Sequence, residues 1–144
     1  MDRDSLLAGF IDVYFGSIKN VETLISRPVA EYRLSFEQYQ ILHDIAHNQV
    51  TSLTEIVQRR GVTKPAIARQ LGMLRSLGYV TQTVSPQDKR RHILMLTPAG
   101  RRAEKAAEQA AQAEFDRWIE VLGQAKLETL LNMLEEASTK LFVS

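Results

Sequence analysis

At 144 residues and 44% hydrophobic content, the chain is long enough for one domain with a real core and is neither disordered nor fibrous in composition. It contains no cysteine, which excludes disulfide scaffolds, thiolate metal sites, cysteine nucleophiles and thiol-based peroxide sensing. The net charge of +1 conceals a segregation: residues 56–103 hold ten Lys or Arg against the single acid Asp88, a local +9, while the two ends together carry −8.

The N-terminal stretch MDRDSLLAGFIDVYFGSI is interrupted by Asp2, Asp4 and Asp12 and lacks a basic leader followed by a continuous apolar run, so it does not read as a signal peptide. No stretch approaches the roughly 18 apolar residues of a membrane span. The expectation is a soluble, cytoplasmic protein. Residues 5–26 instead place Leu6, Leu7, Phe10, Val13, Tyr14, Ile18, Val21, Leu24 and Ile25 at three- and four-residue spacings, predicting one helix with a broad apolar face that ends at Arg27-Pro28.

Ser35-Phe-Glu-Gln38 is a capping box opening a helix to about Asn48. Ser52-Leu-Thr-Glu55 repeats the signal and opens a short helix closed by Gly61. Thr63 is a good N-cap, with Pro65 in the first turn of a helix running to Leu77. Ile67, Leu71, Leu74 and Leu77 form its buried stripe, leaving Pro65, Ala66, Arg69, Gln70 and Met73 on the other face. Two alternating runs, 79–84 and 92–97, flank the turn residues Ser85-Pro86-Gln87-Asp88 and predict a hairpin with Lys89, Arg90, Arg91 and His92 at its tip. Thr97-Pro98 starts an alanine-rich helix to about Leu122, Gly123 breaks it, and a last helix spans 125–141.

The fold class is therefore mainly α with a small β-hairpin wing. Residues 35–98 form a winged helix-turn-helix lobe, and 1–34 with 99–144 form a helical region more apolar than a small core requires. In a winged helix-turn-helix the second helix enters the major groove of DNA while the first braces it across the backbone. A +9 block, acid-free from Ile56 to Gln87, suits a polyanion. Lys64 and Arg69 can reach phosphates or base edges, and Pro65, Ala66 and Gln70 can meet thymine methyls or adenine. Small residues at 65 and 66 let the positive helix start approach closely. Arg59, Arg75, Lys89, Arg91 and Arg101 are expected to hold phosphates, and Thr63 to cap the recognition helix.

The helix-turn-helix SLTEIVQRRGVTKPAIARQLGMLRSLGYV and the wing DKRRHILMLTPAG resemble the MarR-type transcriptional regulators over nearly the whole chain. The specific part is Asp88-x-Arg90 followed by Leu96-Thr97 and Gly100. The resemblance implies a homodimer built from the terminal helices, with Leu6, Leu7, Phe10, Leu127, Leu130, Leu131, Leu134 and Leu141 at the interface. It also implies two lobes on a palindromic operator, Arg90 in the minor groove held by Asp88, and Lys64, Pro65, Ala66 and Arg69 facing the major groove. Many such proteins are repressors released by a small, often aromatic molecule. Phe15, Phe36, Tyr39 and His43 are candidates to border that pocket. Two positions depart from the pattern: Met73 stands where a basic residue is common, and Arg60 where an apolar residue usually ends the bracing helix.

His43 and His47, four apart on one helix face, could hold a metal, although no third ligand is evident from sequence, and no metal or other cofactor is expected. The alternatives are therefore a metal-responsive regulator using this pair, or a winged helix serving protein interaction. No glycine-rich phosphate loop, nucleophile motif or paired-carboxylate constellation supports catalysis, so the chain is expected not to be an enzyme.

Overall fold

The computed structural model describes residues 1–142. Seven α-helices and one hairpin follow in order: α1 (Arg3–Asp12), α2 (Lys19–Ala30), α3 (Phe36–Ala46), α4 (Leu53–Arg60), α5 (Lys64–Ser76), β1 (Val80–Val84), β2 (His92–Leu96), α6 (Pro98–Leu122) and α7 (Gln124–Leu141). Between α1 and α2 the backbone widens into a π-helical segment, Val13–Ile18, where the sequence predicts uninterrupted α-helix. Nor does the helix end at Arg27-Pro28: α2 continues through Pro28 to Ala30. Val29 is fully buried against the core, and its burial, worth about 1.5–3 kcal/mol, offsets the amide hydrogen bond that Pro28 cannot make. The chain then turns through Arg33, which adopts a left-handed φ of 64°.

The core lies inside the lobe. Ile41, Leu42 and Ile45 of α3, Ile56 of α4, Ile67, Leu71 and Leu74 of α5, and Val80, Leu94 and Leu96 of the hairpin pack into one apolar cluster, to which α6 contributes Ala107. α6 packs against α2 and α3, with the small residues Ala103 and Ala107 buried along it, while Gly100 at its start is buried against the backbone of Tyr79.

The hairpin is antiparallel, with Val80 opposite Leu96, Gln82 opposite Leu94 and Val84 opposite His92. The Leu94 amide donates outward to the Thr51 carbonyl at 2.9 Å, so the segment before α4 covers the second edge of β2.

The capping signals divide into those that form as read and those that do not. Ser35 and Gln38 make the full reciprocal box on α3. At α4, Ser52 Oγ accepts from the Glu55 amide, but Glu55 does not reach back to Ser52; its carboxylate accepts from the amide and hydroxyl of Thr51 instead. Thr97 Oγ1 accepts from the Gly100 amide and donates to the Gly78 carbonyl, joining the start of α6 to the end of α5.

The terminal helices are largely exposed. Leu6, Leu7 and Phe10 are each more than 60% accessible, and Leu130, Leu131 and Leu134 about half. Leu127, expected at a subunit interface, is buried within the chain at 5% exposure, beside Val21, Leu24, Trp118, Leu122 and Leu130. Its place near the α6–α7 turn directs it inward while the rest of the stripe faces out. Among the described residues, no helix is long and apolar enough to cross a membrane.

Candidate nucleic-acid interface

The turn between α4 and α5 depends on Gly61, which adopts a left-handed φ of 65° and donates its amide to the Val57 carbonyl at 2.9 Å. Two residues later α5 begins. Thr63 occupies its N-cap position with extended backbone, but the hydroxyl makes no capping hydrogen bond, contrary to the expectation from sequence. Pro65 at the second helical position removes one of the two amides that a cap could serve. The first helical bond runs from the Ile67 amide to the Thr63 carbonyl, which leaves the amides of Lys64 and Ala66 without partners inside the helix.

Lys64, Pro65 and Arg69 are exposed on this helix and Ala66 is partly exposed. Gln70 is only half exposed, because its Oε1 accepts from Gln38 Nε2 at 3.0 Å. That amide also lies 3.4 Å from Met73 Sδ. Gln70 and Met73 are thus both linked to α3 through the Gln38 side chain. Arg75 donates to Gln82 Oε1 at 2.9 Å, tying α5 to β1.

The wing loop is held by its own polar groups. Ser85, buried, accepts from the amides of Gln87 and Asp88, and its amide donates to the Arg91 carbonyl at 2.9 Å. Asp88 Oδ1 accepts from the backbone amide of Arg90 at 2.9 Å, and the Asp88 carbonyl accepts from the Arg91 amide at 3.0 Å. Asp88 therefore fixes the backbone from which the Arg90 side chain projects, rather than gripping the guanidinium. Lys89 and Arg90 are exposed. Arg91 pairs with Glu55 at 3.0 Å, bracing the wing against the start of α4. Lys64, Asp88, Arg90 and Arg91 line a single concavity together with Ser52–Glu55.

Arg60 has a structural explanation. Asp44 is fully buried in α3, and Arg60 grips it with two nitrogens, Nε at 2.9 Å and Nη2 at 2.7 Å, while Arg59 approaches at 3.4 Å. This pair locks the bracing helix to α3. Replacing Arg60 by Ala strands a buried carboxylate and is expected to cost about 3 kcal/mol in denaturant unfolding. Arg59→Ala, at an exposed and less well aligned position, should cost under about 1 kcal/mol. Equal losses would contradict the assignment of Arg60 as the main partner. Arg59 is held near Asp44 and is less available to a phosphate than its exposure suggests, whereas Arg101 is exposed at the start of α6.

Of the four aromatic-pocket candidates, Phe36, Tyr39 and His43 form a row on α3, with centroids 6.2 and 5.9 Å apart. The single chain does not bring Phe15 to them: it is exposed, packs edge-on against Tyr14 and lies beneath Lys19. His43 and His47 lie with ring centroids 4.2 Å apart and planes tilted by 51°, and they face Glu104 and Glu108 of α6, two acids that the sequence spacing alone does not connect with them. The available signal was a second four-residue spacing, Glu104-x-x-x-Glu108, on a helix that must pack against α3.

The MarR-family model matches residues 34–91. Over 91 residues the chain is 35% identical to an uncharacterized HTH-type transcriptional regulator of Staphylococcus aureus, covering 63% of this chain and 60% of that protein. The chain thus spans less than two thirds of the length of this curated relative. It is also 30% identical to the transcriptional repressor CouR in a structure bound to a 23-mer DNA duplex, with a TM-score of 0.74 over 83% of this chain and 84% of CouR. A second CouR structure, bound to p-coumaroyl-CoA, matches with 31% identity and a TM-score of 0.73 over 83% of each chain. The hairpin wing, the Gly61 turn and these likenesses lead to one assignment: the chain belongs to the MarR family of winged helix-turn-helix transcriptional regulators.

Proposed function

We propose that this protein is a sequence-specific DNA-binding regulator that acts as a homodimer on a palindromic operator and is released from it by a small molecule. The observation that carries the reading is the concavity shared by Lys64, at the uncapped start of α5, and Arg90, on the wing. Two cationic elements on one face can engage adjacent grooves of one duplex. The DNA duplex bound by CouR supports the same reading.

In this reading the α5 amides and Lys64 meet phosphates, Arg69 reads a base edge, and Arg90 enters the minor groove from a backbone set by Asp88. Arg75 and Arg91, already bonded within the lobe, position α5 and the wing and leave Lys89 as the readier phosphate contact. The exposed leucines of α1 and α7 join two copies, and the protein is a binding protein rather than a catalyst. A small aromatic effector would lie near Phe36 and Tyr39, consistent with the p-coumaroyl-CoA held by CouR. Repression is the favoured sign of regulation, since CouR is a repressor.

The test is fluorescence anisotropy with duplexes from the region upstream of the protein's own gene, over a range of salt concentrations. Arg90→Ala should weaken binding and reduce the slope of log affinity against log salt by about 0.9. An unchanged affinity and slope would remove the wing from the interface. Arg69→Ala should instead weaken binding to the preferred sequence by about 1–3 kcal/mol and spare unrelated duplexes.

A further inference from the structure

We propose that His43, His47, Glu104 and Glu108 form a binding site for a divalent transition-metal ion of the zinc class, cross-linking α3 to α6. The two histidines are four residues apart, His43 in the last turn of α3 and His47 at its C-cap, and the two glutamates are four apart on one face of α6. The packing of α3 on α6 sets the two pairs against each other. One ligand atom from each residue lies within 4.8 Å of the other three.

The separations suit an ion better than they suit direct contact. His43 Nδ1 is 3.4 Å from Glu104 Oε1, His47 Nε2 is 3.6 Å from the same oxygen, and His47 Nε2 is 3.9 Å from Glu108 Oε1. Nitrogen and oxygen ligands at about 2.0–2.1 Å in a tetrahedron stand roughly 3.4 Å apart. Hydrogen-bonded pairs would be several tenths of an ångström closer. Small side-chain movements would complete the coordination.

A second observation points to the same occupant. Glu104 is 5% exposed, and among the described residues neither its Oε1 nor the buried Nδ1 of His43 has a hydrogen-bond partner. An unpartnered buried carboxylate oxygen is costly. A cation between these atoms satisfies both at once.

Two imidazoles with two carboxylates favour zinc-class ions over magnesium or calcium, which prefer six or more oxygen ligands. His43 and His47 are partly exposed and give an ion a route in from solvent. The site does not depend on the proposed DNA-binding function, because it can be measured without DNA.

The experiment titrates Zn2+ into the chelator-stripped full chain in competition with a chromophoric chelator, and records thermal midpoints in parallel. One Zn2+ per chain, with a raised midpoint, is expected. Glu104→Gln and His47→Ala should each weaken binding by at least about tenfold and abolish the rise. Glu108→Gln, at a more accessible position, should do the same and serves where Glu104→Gln disturbs packing. Co2+ in place of Zn2+ should give the visible absorption of a tetrahedral centre, lost in the variants. Binding well below one ion per chain, or an affinity unchanged by all three substitutions, would overturn the proposal.

Discussion

Replacing Gly100 by Ala is expected to cost about 3 kcal/mol of unfolding free energy, a large loss for a single added methyl. A Cβ at this position would stand 2.0 Å from the carbonyl oxygen of Tyr79 and 2.8 Å from its carbonyl carbon. These are backbone atoms and cannot rotate away. The same oxygen accepts from the Thr97 amide at 3.0 Å, and Thr97 also bonds to Gly78 and Gly100. Moving α6 outward to admit the methyl would break this junction between the recognition helix, the hairpin and the long helix. Urea unfolding followed by circular dichroism should show a lower midpoint with little change in slope. Gly72→Ala is the control: it lies within α5 with nothing within 4 Å of its added Cβ, and should be neutral or stabilising by up to about 1 kcal/mol. Equal midpoints for the two variants would contradict the close approach of α6 to Tyr79.

The double substitution Leu130→Asp with Leu134→Asp is expected to yield a folded monomer whose operator affinity is lower by roughly 10²–10⁴-fold. Both side chains are about half exposed and lie outside the lobe core, so the lobe should keep its fold. Two lobes on one duplex gain affinity because binding of the first raises the effective concentration of the second, and a monomer forfeits that gain. Sedimentation equilibrium reads the association state and anisotropy the affinity. A variant that stays dimeric would place the interface elsewhere, and an unmodified protein that sediments as a monomer would overturn the homodimer reading.

Features set by neighbouring residues were legible in the sequence. The starts of α3, α4 and α6 follow from Ser35, Ser52 and Thr97, and the hairpin from two alternating runs around Ser85–Asp88, because caps and turns are decided within four or five positions. What escaped were partnerships made by packing. Arg60 looked like a misplaced charge until its bond to Asp44, sixteen residues earlier, was seen. His43 and His47 lacked further ligands until α6 brought Glu104 and Glu108 to them across some sixty residues. The bond that Gln70 accepts from Gln38, thirty-two residues earlier, is a further partnership that spacing does not show. Pro28 shows the limit of local rules: the sequence reads it as the end of the helix, but α2 continues through it to Ala30, with Val29 buried in the core.

Within the lobe, α3 and α4 begin on serine hydroxyls that satisfy their first amides, whereas α5 begins on a threonine whose hydroxyl does not. A missing N-cap leaves a helix short of about 1 kcal/mol. In the proposed complex a phosphate oxygen fills that vacancy, so part of the ligand's binding energy appears as stability of the protein itself. Linkage then requires the reverse: the first turn of α5 opens more readily in the free protein than in the bound one, and amide exchange at Ile67 should slow when duplex is added. The recognition helix is, in this sense, a secondary structure finished by its target.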